Sequence, residues 1–200
     1  MSEWASTEVA REEPTTAPSF RFLFETEFSY VWNTLRRLGV HEPDVLDQTQ
    51  EVFVVVHSLL PDYDANRPVR PWLFGIAYRL ACRYRSLARH RREVYQDAPV
   101  DTTDRAPSAE QSLESAQARE LLMDAIQGIE LSRRAVFILS EIDELPMAEI
   151  AAALQIPTNT AYSRLRLARD DFERAATRLL AQQAGPIKAR AAERVSKAGA

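Results

Sequence analysis

The chain has 200 residues, enough for one domain or two small ones. A 46% hydrophobic content with only 5 glycines and abundant Ala, Leu, Arg and Glu favours a helical globular protein over a sheet. The single cysteine, Cys82, excludes an internal disulfide and a cysteine-based zinc site, and no apolar run is long enough to span a membrane. The net charge of −4 hides strong segregation: residues 67–92 hold eight Arg and no acid, residues 93–120 hold seven acids and two Arg, and residues 174–200 hold six Lys or Arg against Glu193. Local charge rather than the total sets affinity for a polyanion.

Residues 1–19 are polar and acidic, with Pro14 and Pro18, and read as a disordered leader rather than a signal peptide. Apolar side chains then recur at helical spacing from Phe24 through Phe28, Val31, Trp32 and Leu35 to Leu38. They predict a helix over 20–38 with Gly39 as its C-cap. A second helix is predicted from Pro43-Asp44 to about Leu60. Within it, Val52–Val56 alone could pass for a strand, but the flanking periodicity and Asp44, Asp47 and Glu51 favour helix. A turn-rich loop follows over 61–68, and Pro71 suits the first turn of a long helix from Trp72 to about Arg92. Its expected core face is Trp72, Leu73, Ile76, Ala77, Leu80, Tyr84 and Leu87. Residues 94–111, acidic and broken by Pro99 and Pro107, read as a linker. Beyond it come a helix over 113–129, a helix capped by Ser132, and a pair joined by a tight turn over 147–166. The tail over 183–200 reads as a frayed basic helix or as disordered. The fold class is therefore all-α: two small helical domains, 20–93 and 112–182, joined by a flexible linker, the second a helix-turn-helix.

In that helix-turn-helix, small Ala151 sits where two helices must cross closely. Ile150, Leu154, Ile156, Ala161 and Leu165 are spaced to close a small core, and Thr158 is placed to cap the second helix. The exposed face of the second helix offers Thr158, Asn159, Thr160, Tyr162, Ser163, Arg164, Arg166 and Arg169, with no acid until Asp170. Short polar groups for base edges and Arg for guanine or phosphate are what a helix needs to read a DNA major groove. In the arginine-rich helix, Arg79 and Arg83 share a face, and Arg85, Arg89 and Arg92 widen it. Phe74, Tyr78 and Tyr84 interleave with them, and arginines among aromatics suit a single strand gripped by phosphate contact and base stacking. Cys82 lies at core-like spacing from Tyr78 and reads as structural, a redox-sensing role being the lesser reading.

No enzyme is expected. Asp44, Asp47 and Glu51 fall on one helix face, but no Glu-x-x-His partner exists and the only histidines are His41, His57 and His90. There is no Ser/His/Asp set and no phosphate-cradling Gly loop, so no metal, cofactor or small-molecule substrate is implied.

Three stretches in order resemble the extracytoplasmic-function (ECF) class of bacterial sigma factors over roughly residues 20–180. Asp47-Gln48-Thr49-Gln50-Glu51-Val52-Phe53 resembles the family's Asp-Leu-Val-Gln-Glu-Val-Phe. Arg70-Pro71-Trp72-Leu73-Phe74-Gly75-Ile76-Ala77 resembles its Arg-Pro-Trp-Leu-x-x-Ile-Ala. Ile150-Ala151 through Ile156-Pro157 to Ser163-Arg164-Leu165 resembles its promoter-reading helix-turn-helix. Gln48, Arg79 and Gln155 depart from the family's usual Leu, Asn and Gly, and the turn at 155 typically needs a left-handed backbone. The resemblance implies a region 2-like domain over 20–93 and a region 4-like domain over 112–182. It implies that Asp47, Gln50 and Glu51 contact the clamp helices of the RNA polymerase largest subunit, with Phe53 supporting that helix from the core. The flap of the polymerase would be a further contact. A flipped base of the melting minus-ten element would enter a pocket near Asn66 and Arg70, with Arg79, Arg83, Arg85 and Arg89 holding the strand and Trp72 either a wedge or a core residue. The recognition helix would read the minus-thirty-five element as duplex. Expected partners are core polymerase, promoter DNA and an anti-sigma factor, in the bacterial cytoplasm or held at the inner membrane by that factor. The competing reading is a conventional helix-turn-helix regulator that binds duplex DNA without polymerase. The basic tail with Lys188, Arg190, Arg194 and Lys197 is open to three roles: disorder, non-specific DNA affinity or contact with a regulator.

Overall fold

The structure, a computed structural model, describes the backbone of residues 18–94 and 110–198 and the side chains of 18–88 and 117–182. The expected leader up to residue 17, the linker over 95–109 and the side chains of Arg89, Arg92 and the basic tail lie outside the described residues. Among the described residues all regular structure is helical. The first half is α1 (Phe20–Leu38), α2 (Val45–Leu59) and α3 (Val69–Val94). The second is α4 (Glu110–Gln127), α5 (Leu131–Phe137), α6 (Met147–Leu154) and α7 (Thr158–Ala198), whose backbone stays helical through most of the basic tail.

Helix α1 starts where the Ser19 side chain accepts from the Phe22 N–H at 3.2 Å. It ends at Gly39, whose φ of 88° lets its N–H reach Arg36 O while the Val40 N–H reaches Leu35 O, both at 3.0 Å. This doubly bonded left-handed end satisfies carbonyls that a helix otherwise leaves open, and buried Val40 closes it. Helix α2 buries Val45, Thr49, Val52, Phe53 and Val56, so the valine run is helical. Buried Thr49 is satisfied by donating to Val45 O at 2.7 Å. Phe53 packs on Phe20, Phe24 and Phe28 of α1, with ring centroids 4.9–6.4 Å apart.

Helix α5 is capped by Glu130, not by Ser132: its carboxylate accepts from the Ser132 N–H at 3.1 Å and the Arg133 N–H at 3.3 Å. The longer side chain reaches both amides from the position before the helix. A π-helical turn over Ile138–Ile142 follows, after which α6 and α7 form the helix-turn-helix. Ile150, Ala151, Leu154, Ala161 and Leu165 are buried there, with Ile156 half-buried. Thr158 is the first residue of α7 rather than a cap before it.

Gln155 repeats the ending seen at Gly39. Its φ of 55° and ψ of 46° are left-handed, with the Gln155 N–H bonded to Ala152 O at 3.2 Å and the Ile156 N–H to Ala151 O at 3.0 Å. A left-handed residue with a Cβ costs on the order of 1 kcal/mol, part of which glycine returns as unfolded-state entropy. Gln155→Gly is therefore expected to raise the thermal unfolding midpoint by about 2 °C. A fall in the midpoint would show that the Gln155 side chain stabilises the turn in its own right.

The two halves pack on each other, and their buried side chains form one connected core. Helix α3 meets α6, and α1 meets α4 and α5. At the α3–α6 crossing a Cβ on Gly75 would stand 2.8 Å from Ala153 O, so the approach of the two backbones requires glycine there. Leu73, Phe74, Gly75, Ile76 and Ala77 are consequently all buried. Phe74, expected among the stacking aromatics, is a core residue with no exposed surface, while Leu87, expected in the core, is 55% exposed. No helix among the described residues is long and apolar enough to cross a membrane.

Candidate polymerase and nucleic-acid interfaces

Three polar surfaces carry the residues singled out from the sequence. The first is the outer face of α2. Asp47 and Gln50 are exposed, and Glu51 is partly exposed but paired with Arg83 of α3 at 3.1 Å. Asp44 faces inward enough to accept from Tyr84 OH at 2.5 Å. Leu46 and Val54, exposed to 46% and 64%, border the acidic residues. With Phe20, Phe24, Gln50, Phe53 and His57, Val54 lines a shallow cleft. This apolar border was not anticipated from sequence, although Leu46 and Val54 fall off the buried stripe of α2. Carboxylates set among exposed aliphatic groups suit a docking face, where charge orients a partner and apolar contact holds it.

The second surface is α3 and the loop before it. Arg79 and Arg83 are exposed, but Arg85 is half-buried, and its Nη1 is buried with no hydrogen-bond partner. Arg70 is paired with Glu27 at 2.9 Å, and its guanidinium stands 5.1 Å from the centroid of the Tyr30 ring. Asn66 is exposed, and its backbone N–H and side-chain amide both donate to Asp64, at 3.0 and 3.1 Å, which fixes the loop tip. Trp72 is half-buried with its ring centroid 4.5 Å from that of Tyr63, an aromatic not singled out beforehand. Burial and the neighbouring Cys82 push the Tyr78 hydroxyl up to about 12, while Arg164 of α7 opposes the rise.

The third surface is the start of α7. Thr158, Asn159, Tyr162, Ser163 and Arg166 are exposed, Tyr162 to 58%, and Thr160 and Arg164 are half-buried. Ser163 Oγ donates back to Thr160 O at 2.9 Å. Arg169 is exposed but bound to Glu141 at 2.7 Å, and Arg166 lies 3.8 Å from Asp170. The exposed members present hydroxyls, an amide, a phenol and a guanidinium on one helical face, the donor and acceptor set that base edges and phosphates accept.

Three residues that sequence reasoning passed over link the halves. Arg134 of α5 is 3% exposed and donates to Ile129 O at 2.8 Å, Gln127 O at 2.5 Å and, across the halves, Arg37 O at 3.4 Å. Burial and then the nearby Arg85 lower its guanidinium to about 10. Tyr30 donates to Asp143 at 2.7 Å, and burial followed by that carboxylate raises the phenol far above its ordinary value. Burial also raises the Asp143 carboxyl, against the hydrogen bond from Tyr30 and the charges of Arg37 and Arg70. Glu27, also passed over, pairs with Arg70 within the first half.

Residues 119–171 match the family described as Sigma-70, region 4. The chain is 30% identical over 149 residues to the ECF RNA polymerase sigma factor SigW of Bacillus subtilis, covering 68% of this chain and 76% of that protein. It is 28% identical over 142 residues to the RNA polymerase sigma factor NccH of Alcaligenes xylosoxydans xylosoxydans, covering 67% and 74%. The solved structure of CnrH in complex with the cytosolic domain of CnrY matches with a TM-score of 0.54 at 25% identity, over 77% of this chain and 84% of that one. The sigma factor RpoE, solved with the anti-sigma factor NepR from Bartonella quintana, shares the fold with a TM-score of 0.59 at 18% identity, over 79% and 96%. These likenesses support the sigma-factor reading and not the conventional regulator. The chain belongs to the extracytoplasmic-function family of RNA polymerase sigma factors, which direct transcription initiation.

Proposed function

We propose that the three surfaces divide the work of initiation. The α2 face, Asp47, Gln50 and Glu51 bordered by Leu46 and Val54, docks on the clamp helices of the polymerase largest subunit, and the second half contacts the flap. Asn66, Arg70, Arg79, Arg83, Arg85 and Arg89 hold the unpaired strand of the minus-ten element, and a flipped base enters beside Asn66 and Arg70. The unstacking of that base costs a few kcal/mol, which the pocket offsets. Thr158, Asn159, Thr160, Tyr162, Ser163, Arg164, Arg166 and Arg169 read the minus-thirty-five element as duplex. The linker between the halves spans the distance along the polymerase. An anti-sigma factor, by likeness to the RpoE complex, holds the chain inactive in the cytoplasm, or at the inner membrane where that factor is itself membrane-bound.

The observation that carries this reading is the separation of the polar sets: acidic on α2, arginine-rich on α3, neutral polar with arginine on α7. One set suits a basic protein partner and two suit DNA in different states. A promoter footprint tests it. With core polymerase and this chain together, unpaired thymines are expected to react with permanganate at the downstream element while the upstream element is protected as duplex. Protection by the chain alone, unchanged on adding polymerase, would instead establish a conventional regulator.

A further inference from the structure

Helices α4 and α7 run antiparallel. A Cβ on Gly128, just past the end of α4, would stand 2.7 Å from that of Ala175. Farther back, Leu121, Leu122 and Ala125 of α4 line a groove with Ala176, Leu179 and Leu180 of α7. Positions therefore fall along α4 as they rise along α7. Both backbones continue as helix beyond this apolar stretch, α4 back to Glu110 and α7 on to Ala198. The same register, continued residue for residue, sets positions 110–114 level with 187–193.

The seam changes character as it extends. At helical spacing, the α4 face that holds Leu121, Leu122 and Ala125 continues through Ala118 to Glu114 and Gln111, with Glu110 at its edge. The α7 face that holds Ala176, Leu179 and Leu180 continues through Gln183 and Ile187 to Arg190 and Arg194. Apolar positions give way to acids on one helix and arginines on the other, at the same level. The helix of α7 also passes through Gly185-Pro186 without ending. These are the weakest helix formers, and an interior proline loses a backbone hydrogen bond and crowds the preceding turn. A segment as short as 187–198 is marginal as an isolated helix in water, so its helix calls for a partner, and α4 is the element alongside. Promoter duplex at the start of α7 is out of reach: from Thr158 to Arg190 a straight helix covers about 50 Å.

We propose that the basic tail is an intramolecular partner of the acidic segment at the start of α4 rather than a DNA-binding arm. It extends the α4–α7 hairpin, in a register that sets Arg190 and Arg194 opposite Glu110 and Glu114. The argument from reach rests on the proposed reading of the α7 start, whereas the charge pairing does not. Amide hydrogen exchange of the full-length chain tests the pairing. Arg190→Glu with Arg194→Glu is expected to speed exchange over residues 110–118 about fivefold, as is salt at about 1 M. Glu110→Lys with Glu114→Lys is expected to do the same over residues 187–198. All four changes together are expected to restore most of the protection in both segments. Each reversal also opposes its own helix dipole, so only direct pairing of the two segments predicts that rescue. Holoenzyme assembled with a chain lacking 184–200 is expected to bind promoter DNA with the salt dependence of the full chain. Exchange unmoved by either reversal, or no slower in the fourfold variant, would overturn the proposal. A shallower salt dependence without the tail would overturn it too, by assigning those arginines to phosphates. Failure of the holoenzyme to form, with the charge-swap rescue intact, would count against the polymerase reading and leave the pairing standing.

Discussion

Arg134→Ala is expected to cost the fold roughly 3 kcal/mol, the largest single loss for any polar side chain among the described residues. The guanidinium satisfies Gln127 O at the end of α4 and Ile129 O in the α4–α5 connection, and it also reaches Arg37 O from α1. These carbonyls have no further turn of helix to bond them, and an alanine leaves them facing a dry cavity. Relief of repulsion from Arg85 returns part of the loss, which is why the value stays below that of a fully paired buried charge. For a chain of this size the unfolding midpoint should fall by roughly 6–12 °C. Arg134→Lys should recover little, because one ammonium cannot replicate a planar fork directed at several carbonyls. An unchanged midpoint in the alanine variant would mean that Arg134 is dispensable to the packing of the halves.

The second large effect is functional. Asp47→Arg combined with Gln50→Arg is expected to weaken binding to core polymerase by about 100-fold or more. Placing a like charge against a basic docking face costs several kcal/mol, and each 1.4 kcal/mol is a factor of ten in Kd. Both positions are exposed, so the thermal midpoint should hold within about 2 °C, which separates lost docking from lost folding. The readout is equilibrium binding of a labelled chain to core enzyme. Wild-type affinity in the double variant would place the docking face elsewhere, with the cleft between α1 and α2 as the next surface to test.

Much of the fold was readable because local rules and burial agree in it. Helix α1 ends at the glycine that follows its last apolar residue, and the valine run of α2 is helical because its neighbours keep helical spacing. The left-handed turn at Gln155 could be anticipated from a family glycine missing there, since the backbone bonds at Ala151 and Ala152 impose the conformation whatever the side chain. The errors have a common physical origin. Phe74 interleaves with the arginines in sequence, but packing of α3 against α1, α2 and α6 buries the helix nearly all round at 73–77. Leu87 extends the stripe on paper, but by that point the helix has outrun the core.

The polar groups between the halves were invisible for a different reason. Tyr30 and Asp143 are 113 residues apart, and nothing in either neighbourhood names the other. Arg134 sits next to Ala135, Val136 and Phe137, and an arginine beside an apolar run could have been flagged as a buried group in need of acceptors. Its acceptors are backbone carbonyls, which carry no sequence signature. Of the candidate site, the residue types and their helices could be read from the sequence. Which of them are engaged within the chain, such as Arg83 with Glu51, Arg70 with Glu27 and Arg169 with Glu141, emerged only from the packing.

Transcription from a library of genomic fragments by core RNA polymerase, with and without this chain, is the most direct test of the proposed function. The expected result is a set of run-off products that require the chain and share two upstream sequence elements. The absence of any such product, with the chain folded and the polymerase active alongside another sigma factor, would contradict it.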